Sequence, residues 1–180
     1  MIVEKLFIEG LLVLKPRVFE DSRGYFFESF NQRLLEEAGL EEKFVQDNQS
    51  LSQKGVLRGL HFQKEPHAQG KLVRVIKGAV LDVVVDIRKN SPTYGKYFSI
   101  ELTEKNKVMF WIPVGFAHGF LTLQDDTIFH YKCSNYYNKE SESSIVWNDK
   151  DVNINWSIEN PLLSEKDKAG VALKDFVSPF

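Results

Sequence analysis

The segment Ala79-Val80-Leu81-Asp82-Val83-Val84-Val85-Asp86-Ile87 constrains the fold more than any other part of the chain. Its alternation has period two. Ala79, Leu81, Val83, Val85 and Ile87 share one face, while Asp82 and Asp86 share the other with Val80 and Val84. Residues 11–15, 24–30, 44–51, 56–62, 71–76, 97–102, 108–112, 119–123 and 128–136 read as similar strands. Lys77-Gly78 and Asp125-Asp126 have the composition of hairpin turns between such runs. One early helix is expected over residues 32–38, with Asn31 as N-cap and Gly39 as the stop, and a second, short one over residues 164–168. Many short strands at close spacing, with only a few short peripheral helices, predict an all-β fold, an antiparallel sandwich or barrel with the jelly roll as the leading reading.

No repeat, low-complexity tract or Pro/Gly/Ser linker divides the 180 residues, so a single domain spanning 1–180 is expected. The 23 basic and 25 acidic side chains nearly cancel, which excludes a broad nucleic-acid-binding surface and leaves room only for a local basic pocket. A single cysteine cannot form an internal disulfide. Glu4, Lys5 and Glu9 interrupt the apolar residues near the start before they reach signal-peptide or membrane-spanning length. The expectation is a cytoplasmic protein without a membrane partner.

Several kinds of chemistry are missing from the sequence. It has no G-x-G-x-x-G, no G-x-x-x-x-G-K-[ST] and no G-x-S-x-G, which argues against a dinucleotide enzyme, a P-loop enzyme and a serine hydrolase of the elbow type. Cys133 falls on the parity of Phe129 and Tyr131 and reads as a small core residue. His61, His67, His118 and His130 are scattered. Pro113-Val114-Gly115-Phe116-Ala117-His118 resembles the second half of a cupin metal motif, but the H-x-H half is absent, so no metal is expected.

Three side chains stand out by parity. Lys71 falls on the face of Val73 and Val75, where an ammonium is costly unless it is paired, at work, or snorkelling to water from a barrel edge. His61 falls with Leu57 and Gly59, and Tyr131 with Phe129 and Cys133. A histidine, a lysine and a tyrosine on three strands of one barrel can abstract a proton from a carbon acid, hold the enolate and return a proton.

Longer matches then identify a family resemblance. Asp21-Ser22-Arg23-Gly24-Tyr25-Phe26-Phe27-Glu28, Gln46-Asp47-Asn48-Gln49-Ser50, Val56-Leu57-Arg58-Gly59-Leu60-His61-Phe62-Gln63 and Gln69-Gly70-Lys71-Leu72-Val73-Arg74 follow one another in order. Val85-Asp86-Ile87-Arg88, residues 111–120, Tyr131-Lys132 and Ser164-Glu165-Lys166-Asp167 complete the series. Together they resemble the dTDP-4-dehydrorhamnose 3,5-epimerases, cupin-like jelly-roll enzymes.

The resemblance implies inversion of C3 and C5 of a dTDP-4-keto-6-deoxy sugar in dTDP-L-rhamnose biosynthesis. It implies a nucleotide-sugar substrate, no cofactor and a homodimer in which an N-terminal strand, such as residues 6–14, adds to the partner's sheet. By the resemblance, His61 is the base, Asp167 its carboxylate partner, Tyr131 the acid and Lys71 the cation at the C4 oxygen. Arg23, Glu28, Gln46, Asn48, Arg58, His118, Tyr137, Glu142 and Lys166 fall at positions that line the site. Strict strand parity sends Arg58 to the face opposite His61, so both can reach one site only through a bulge or bend near Gly59. Other readings the sequence allows are an epimerase acting at one centre, a non-catalytic sugar-nucleotide binder and a metal-dependent cupin oxygenase.

Overall fold

The computed structural model describes residues 1–180. Two antiparallel sheets face each other as a jelly roll. The first has six strands in the order β1 (Ile2–Lys5), β2 (Leu12–Lys15), β10 (Met109–Ile112), β7 (Lys71–Lys77), β12 (Thr127–Cys133), β5 (Gln46–Ser52). The second has five, in the order β13 (Glu142–Ser144), β6 (Leu57–Gln63), β11 (Phe116–Thr122), β8 (Ala79–Asp86), β9 (Tyr97–Thr103). Strands β3 (Phe19–Asp21) and β4 (Gly24–Phe26) form a separate two-stranded hairpin. Helix α1 (Gln32–Glu37) is capped as its sequence predicts: the Asn31 side chain accepts from Leu34 N–H, and Gly39 follows with φ +85°. Helix α2 (Glu165–Lys168) is a single turn capped by Ser164. No helix is long and apolar enough to cross a membrane.

Both sheets carry apolar cover on their outer as well as their inner faces, except that the edge strand β5 leaves Asp47, Gln49 and Leu51 exposed. Between them lies an apolar core of Val13, Val73, Val75, Phe110 and Phe129 from one sheet and Val80, Val84, Leu102, Phe116 and Phe120 from the other. The outer face of the five-stranded sheet packs Val83, Val85, Leu57 and Leu60 against Ile145, Val152 and Trp156 of the C-terminal segment. Helix α1 and the segment after it cover the outer face of the six-stranded sheet, where Leu35 and Leu40 meet Leu14, Leu72, Met109 and Trp111. Double coverage explains why β8 is apolar on both parities: it has no wet face.

Three sequence expectations change. Gly78, at φ +81°, separates β7 from β8, but those strands belong to different sheets; the same holds for β11 and β12 across Asp125-Asp126. Both turns are therefore corners between sheets, not hairpins. Side-chain alternation marks where a strand ends and is silent on which sheet receives the next one. Residues 6–14 do not form one strand either. A turn, in which Leu6 N–H donates to Leu11 O, divides them, and β1 pairs with β2 inside the same chain.

Candidate active site

A cavity of about 440 Å³ opens between the two sheets. His61 (β6) and His118 (β11) reach it from the five-stranded sheet, and Lys71 (β7), Tyr131 (β12) and Asn48 (β5) from the six-stranded one. Tyr137 from a loop, Glu142 from the edge strand β13, and Lys166 and Asp167 from α2 close the remaining side. Eleven of the thirteen residues expected at the site line this one cavity: His61, Lys71, Tyr131, Asp167, Gln46, Asn48, Arg58, His118, Tyr137, Glu142 and Lys166.

The bend expected near Gly59 is present. The β6–β11 register shifts between His118 and Phe120, and Gly59 sits at φ +135° against Gly119. A Cβ at Gly59 would lie 2.4 Å from Gly119 Cα, so only glycine fits. The bulge corrects the simple parity reading that grouped His61 with Leu57 and Gly59. Leu57 and Leu60 face the outer core, whereas Arg58 and His61 both line the cavity.

Asp167 Oδ1 lies 2.7 Å from His61 Nε2. The contact is within ion-pair distance, although the ring nitrogen makes no hydrogen bond of good geometry. The carboxylate itself is well held: Gly59 N–H donates to Oδ1 at 3.1 Å and Ser164 Oγ donates to Oδ2. Burial alone would raise the Asp167 pKa; the His61 contact and the bonds from Ser164 and Gly59 outweigh it and hold the carboxyl well below its ordinary range. Asp167 is thus a fixed anion beside the imidazole.

On the facing wall, burial pushes the Tyr131 phenol up to about 12, so it keeps its proton at neutral pH. Lys71 takes part in no ion pair; its Nζ lies 5.9 Å from the centre of the Tyr131 ring. Burial pulls the Lys71 pKa down, and the nearby Cys133, Asp82 and Glu142 oppose that only in part. The lysine that parity placed among valines does sit on the core side, next to Val73.

Sequence reasoning overlooked Asp82. It is fully buried behind the cavity, and its Oδ2 is 2.9 Å from His118 Nε2, while Oδ1 has no partner. Burial pushes Asp82 up and His118 down, because charge on either is poorly solvated. The signal was an acid set between Val80 and Val84 in the middle of a strand whose other acid, Asp86, lies at its end. Ser164 was also overlooked; three residues ahead of Asp167, it matches an N-cap pattern.

Arg23 and Glu28 are the two expected site residues that the single chain does not bring to the cavity. Arg23 is exposed on the β3–β4 hairpin and paired with Asp21, and Glu28 accepts from Asn31 Nδ2 at 2.9 Å beside a different hollow. No group of three or more His, Cys, Asp or Glu side chains converges on one point.

A protonated phenol and an imidazole–carboxylate pair on facing walls, with the half-buried Lys71 amine on the phenol's own wall, define a jelly-roll enzyme of proton transfer: an isomerase. Comparison with known proteins gives the particular family. The family model for dTDP-4-dehydrorhamnose 3,5-epimerase matches residues 5–175. The Shigella flexneri dTDP-4-dehydrorhamnose 3,5-epimerase is 55% identical over 176 residues, covering 97% of both chains. The crystal structure of dTDP-4-dehydrorhamnose 3,5-epimerase from Elizabethkingia anophelis superposes with TM-score 0.91 at 50% identity, covering 97% of both chains. The dTDP-6-deoxy-D-glucose-3,5-epimerase of Legionella pneumophila, solved with dTDP-4-keto-L-rhamnose, superposes with TM-score 0.93 at 47% identity, covering 97% of this chain and 94% of that one. The chain belongs to the dTDP-4-dehydrorhamnose 3,5-epimerase family.

Proposed function

We propose that this chain inverts C3 and C5 of dTDP-4-dehydro-6-deoxy-D-glucose to give dTDP-4-dehydro-L-rhamnose, with His61 as base and Tyr131 as acid. One observation carries the assignment of roles: the two groups stand on opposite walls of one cavity, His61 on the five-stranded sheet and Tyr131 on the six-stranded sheet. Inversion at carbon needs a proton removed from one face and returned to the other.

C3 and C5 both flank the C4 carbonyl, so loss of either proton gives an enolate. Asp167, fixed as an anion 2.7 Å from one ring nitrogen of His61, favours the ring proton on that nitrogen, so that the other is free to take the substrate's proton, and it stabilises the imidazolium that forms. Lys71 supplies positive charge where the C4 oxygen becomes negative, in a half-buried setting that screens it less than bulk water would. Tyr131 delivers its proton to the opposite face. Neither inversion changes an oxidation state, so the reaction asks for no redox cofactor. Arg58 and Lys166 at the cavity edge are suited to the diphosphate.

The working unit in this reading is a homodimer. The β3–β4 hairpin carries exposed Phe19, Tyr25 and Phe26, at 50%, 56% and 67% exposure, an apolar surface unusual for an isolated arm. Docked on a second copy, that arm would carry Arg23 and Glu28 to the partner's cavity. Mixing Arg23→Ala chains with His61→Ala chains tests this: arms that cross over restore one intact site per mixed dimer, and arms that stay with their own chain restore none. NMR of the product made from dTDP-4-keto-6-deoxyglucose tests the reaction itself. Product inverted at one carbon only would replace the two-centre assignment with a single-centre one.

A further inference from the structure

Building on that reading, we propose that Gln63 is a positioning residue that fixes Tyr137 as a wall of the outer end of the site. It thereby sets affinity for the nucleotide portion of the substrate and not the rate of proton transfer. Gln63 ends β6, two residues beyond His61, and is 6% exposed. Its side-chain amide uses three bonds on two loops. Nε2 donates to His67 O at 2.9 Å and to Tyr136 O at 3.2 Å, and Oε1 accepts from Asn138 N–H at 2.7 Å.

Two of those bonds bracket Tyr137 on its two chain neighbours, as an adjacent strand would. The peptide N–H of Tyr137 itself donates to Gln46 Oε1 at 3.0 Å. Three successive residues between β12 and β13 are thus held by two glutamine side chains, where no main-chain ladder runs. A loop tyrosine that is 53% exposed would otherwise sample many conformations. Here its hydroxyl donates to Glu142 Oε2 at 3.1 Å, and Glu142 is paired in turn with Lys166. The reacting groups His61, Lys71 and Tyr131 sit together, so the sugar ring belongs beside them. The outer end, walled by Tyr137, Gln46, Glu142 and Lys166, is left for the nucleotide.

Gln63→Met keeps the length of the side chain and removes all three bonds. The expected result is a KM for dTDP-4-keto-6-deoxyglucose raised about ten-fold with kcat changed less than about two-fold, the loss anticipated when part-buried peptide groups lose their partners and the loop they hold is freed. The Kd for dTDP alone, measured by calorimetry, should rise by the same factor. In a Tyr137→Ala background, Gln63→Met should change neither quantity further, because the residue acts through Tyr137. Should Gln63→Met fail to fold, Gln63→Glu keeps the acceptor for Asn138, loses the two donated bonds, and is read in the same way. A fall in kcat at unchanged KM, an unchanged KM and Kd, or full additivity with Tyr137→Ala would overturn the proposal. A wild-type protein that binds dTDP but does not epimerise the sugar would sink the functional reading, while the dTDP titrations would still judge the Gln63 clamp.

Discussion

Strand β8 buries both of its faces, and the two are built differently. The outer face sets Val83 and Val85 against Ile145, Val152 and Trp156 in an apolar contact. The inner face has the same aliphatic frame in Val80 and Val84, yet it also carries Asp82, coupled to His118 behind the cavity. Facing it across the barrel are Lys71 and Tyr131. The outer contact needs only to exclude water. The inner one keeps a set of poorly solvated ionisable groups, which cost stability and have value only if they do chemistry. Substitutions should separate the two faces cleanly, and His61→Ala should have the largest effect. Without the base no enolate forms, so turnover should fall to background and no solvent deuterium should enter C3 or C5. Exchange surviving in this variant would place the base elsewhere.

Asp167→Asn should leave the fold intact and lower turnover by roughly 10²–10⁴-fold, the usual range for disabling general-base catalysis. Near-normal rates would remove Asp167 from the mechanism. Lys71→Met should cost about 10²–10³-fold in kcat, as loss of an oxyanion-stabilising group does. The same variant should unfold at a temperature equal to or higher than the wild type, because a half-buried, poorly solvated ammonium without an ion-pair partner is removed. A Lys71→Met protein that is both active and less stable would show that the lysine is structural.

The alkaline limb of the pH–rate profile gives a smaller, more specific signal. Burial lowers the Lys71 pKa, so its charge should be lost below the ordinary lysine value of about 10.4, whereas Tyr131, pushed up to about 12, is still protonated there. Activity should therefore fall as pH rises through the Lys71 pKa, and Lys71→Arg should move that limb upward because a guanidinium stays protonated. A limb unmoved by this substitution would assign it to another group. Trp156→Ala, on the outer face, should have the least effect on turnover. It should destabilise the fold by about 3–5 kcal/mol through the cavity it leaves, with kcat/KM of the folded protein unchanged.

The same comparison explains what the sequence made legible. Period-two alternation located most strands of the two sheets and divided β8 into its two faces, because parity follows directly from the pleat. Parity could not say which face looks inward, and the acid-bearing face of β8 proved to be the inner one. Asp82 was overlooked for that reason. The Gly59 bulge reverses parity within β6, and it was anticipated only because Arg58 and His61 had to share a site. Gly78 and Asp125-Asp126 were legible as turns but not as sheet-switching corners, since that choice depends on non-local pairing. The Tyr137 clamp was invisible: it rests on side chains of Gln63 and Gln46 bonding a loop far away in sequence.

The central claim is that base and acid act from facing walls, and one measurement addresses it most directly. Wild-type and Tyr131→Phe proteins are incubated with dTDP-4-keto-6-deoxyglucose in D₂O, and NMR follows deuterium in recovered substrate alongside inverted product. In Tyr131→Phe the His61–Asp167 pair and Lys71 are unchanged, so enolate formation should persist while delivery to the far face slows. The account predicts deuterium washing into C3 or C5 of recovered substrate faster than inverted product accumulates. Exchange and inversion lost in equal measure would contradict it, because Tyr131 would then not be a dedicated acid on the opposite wall.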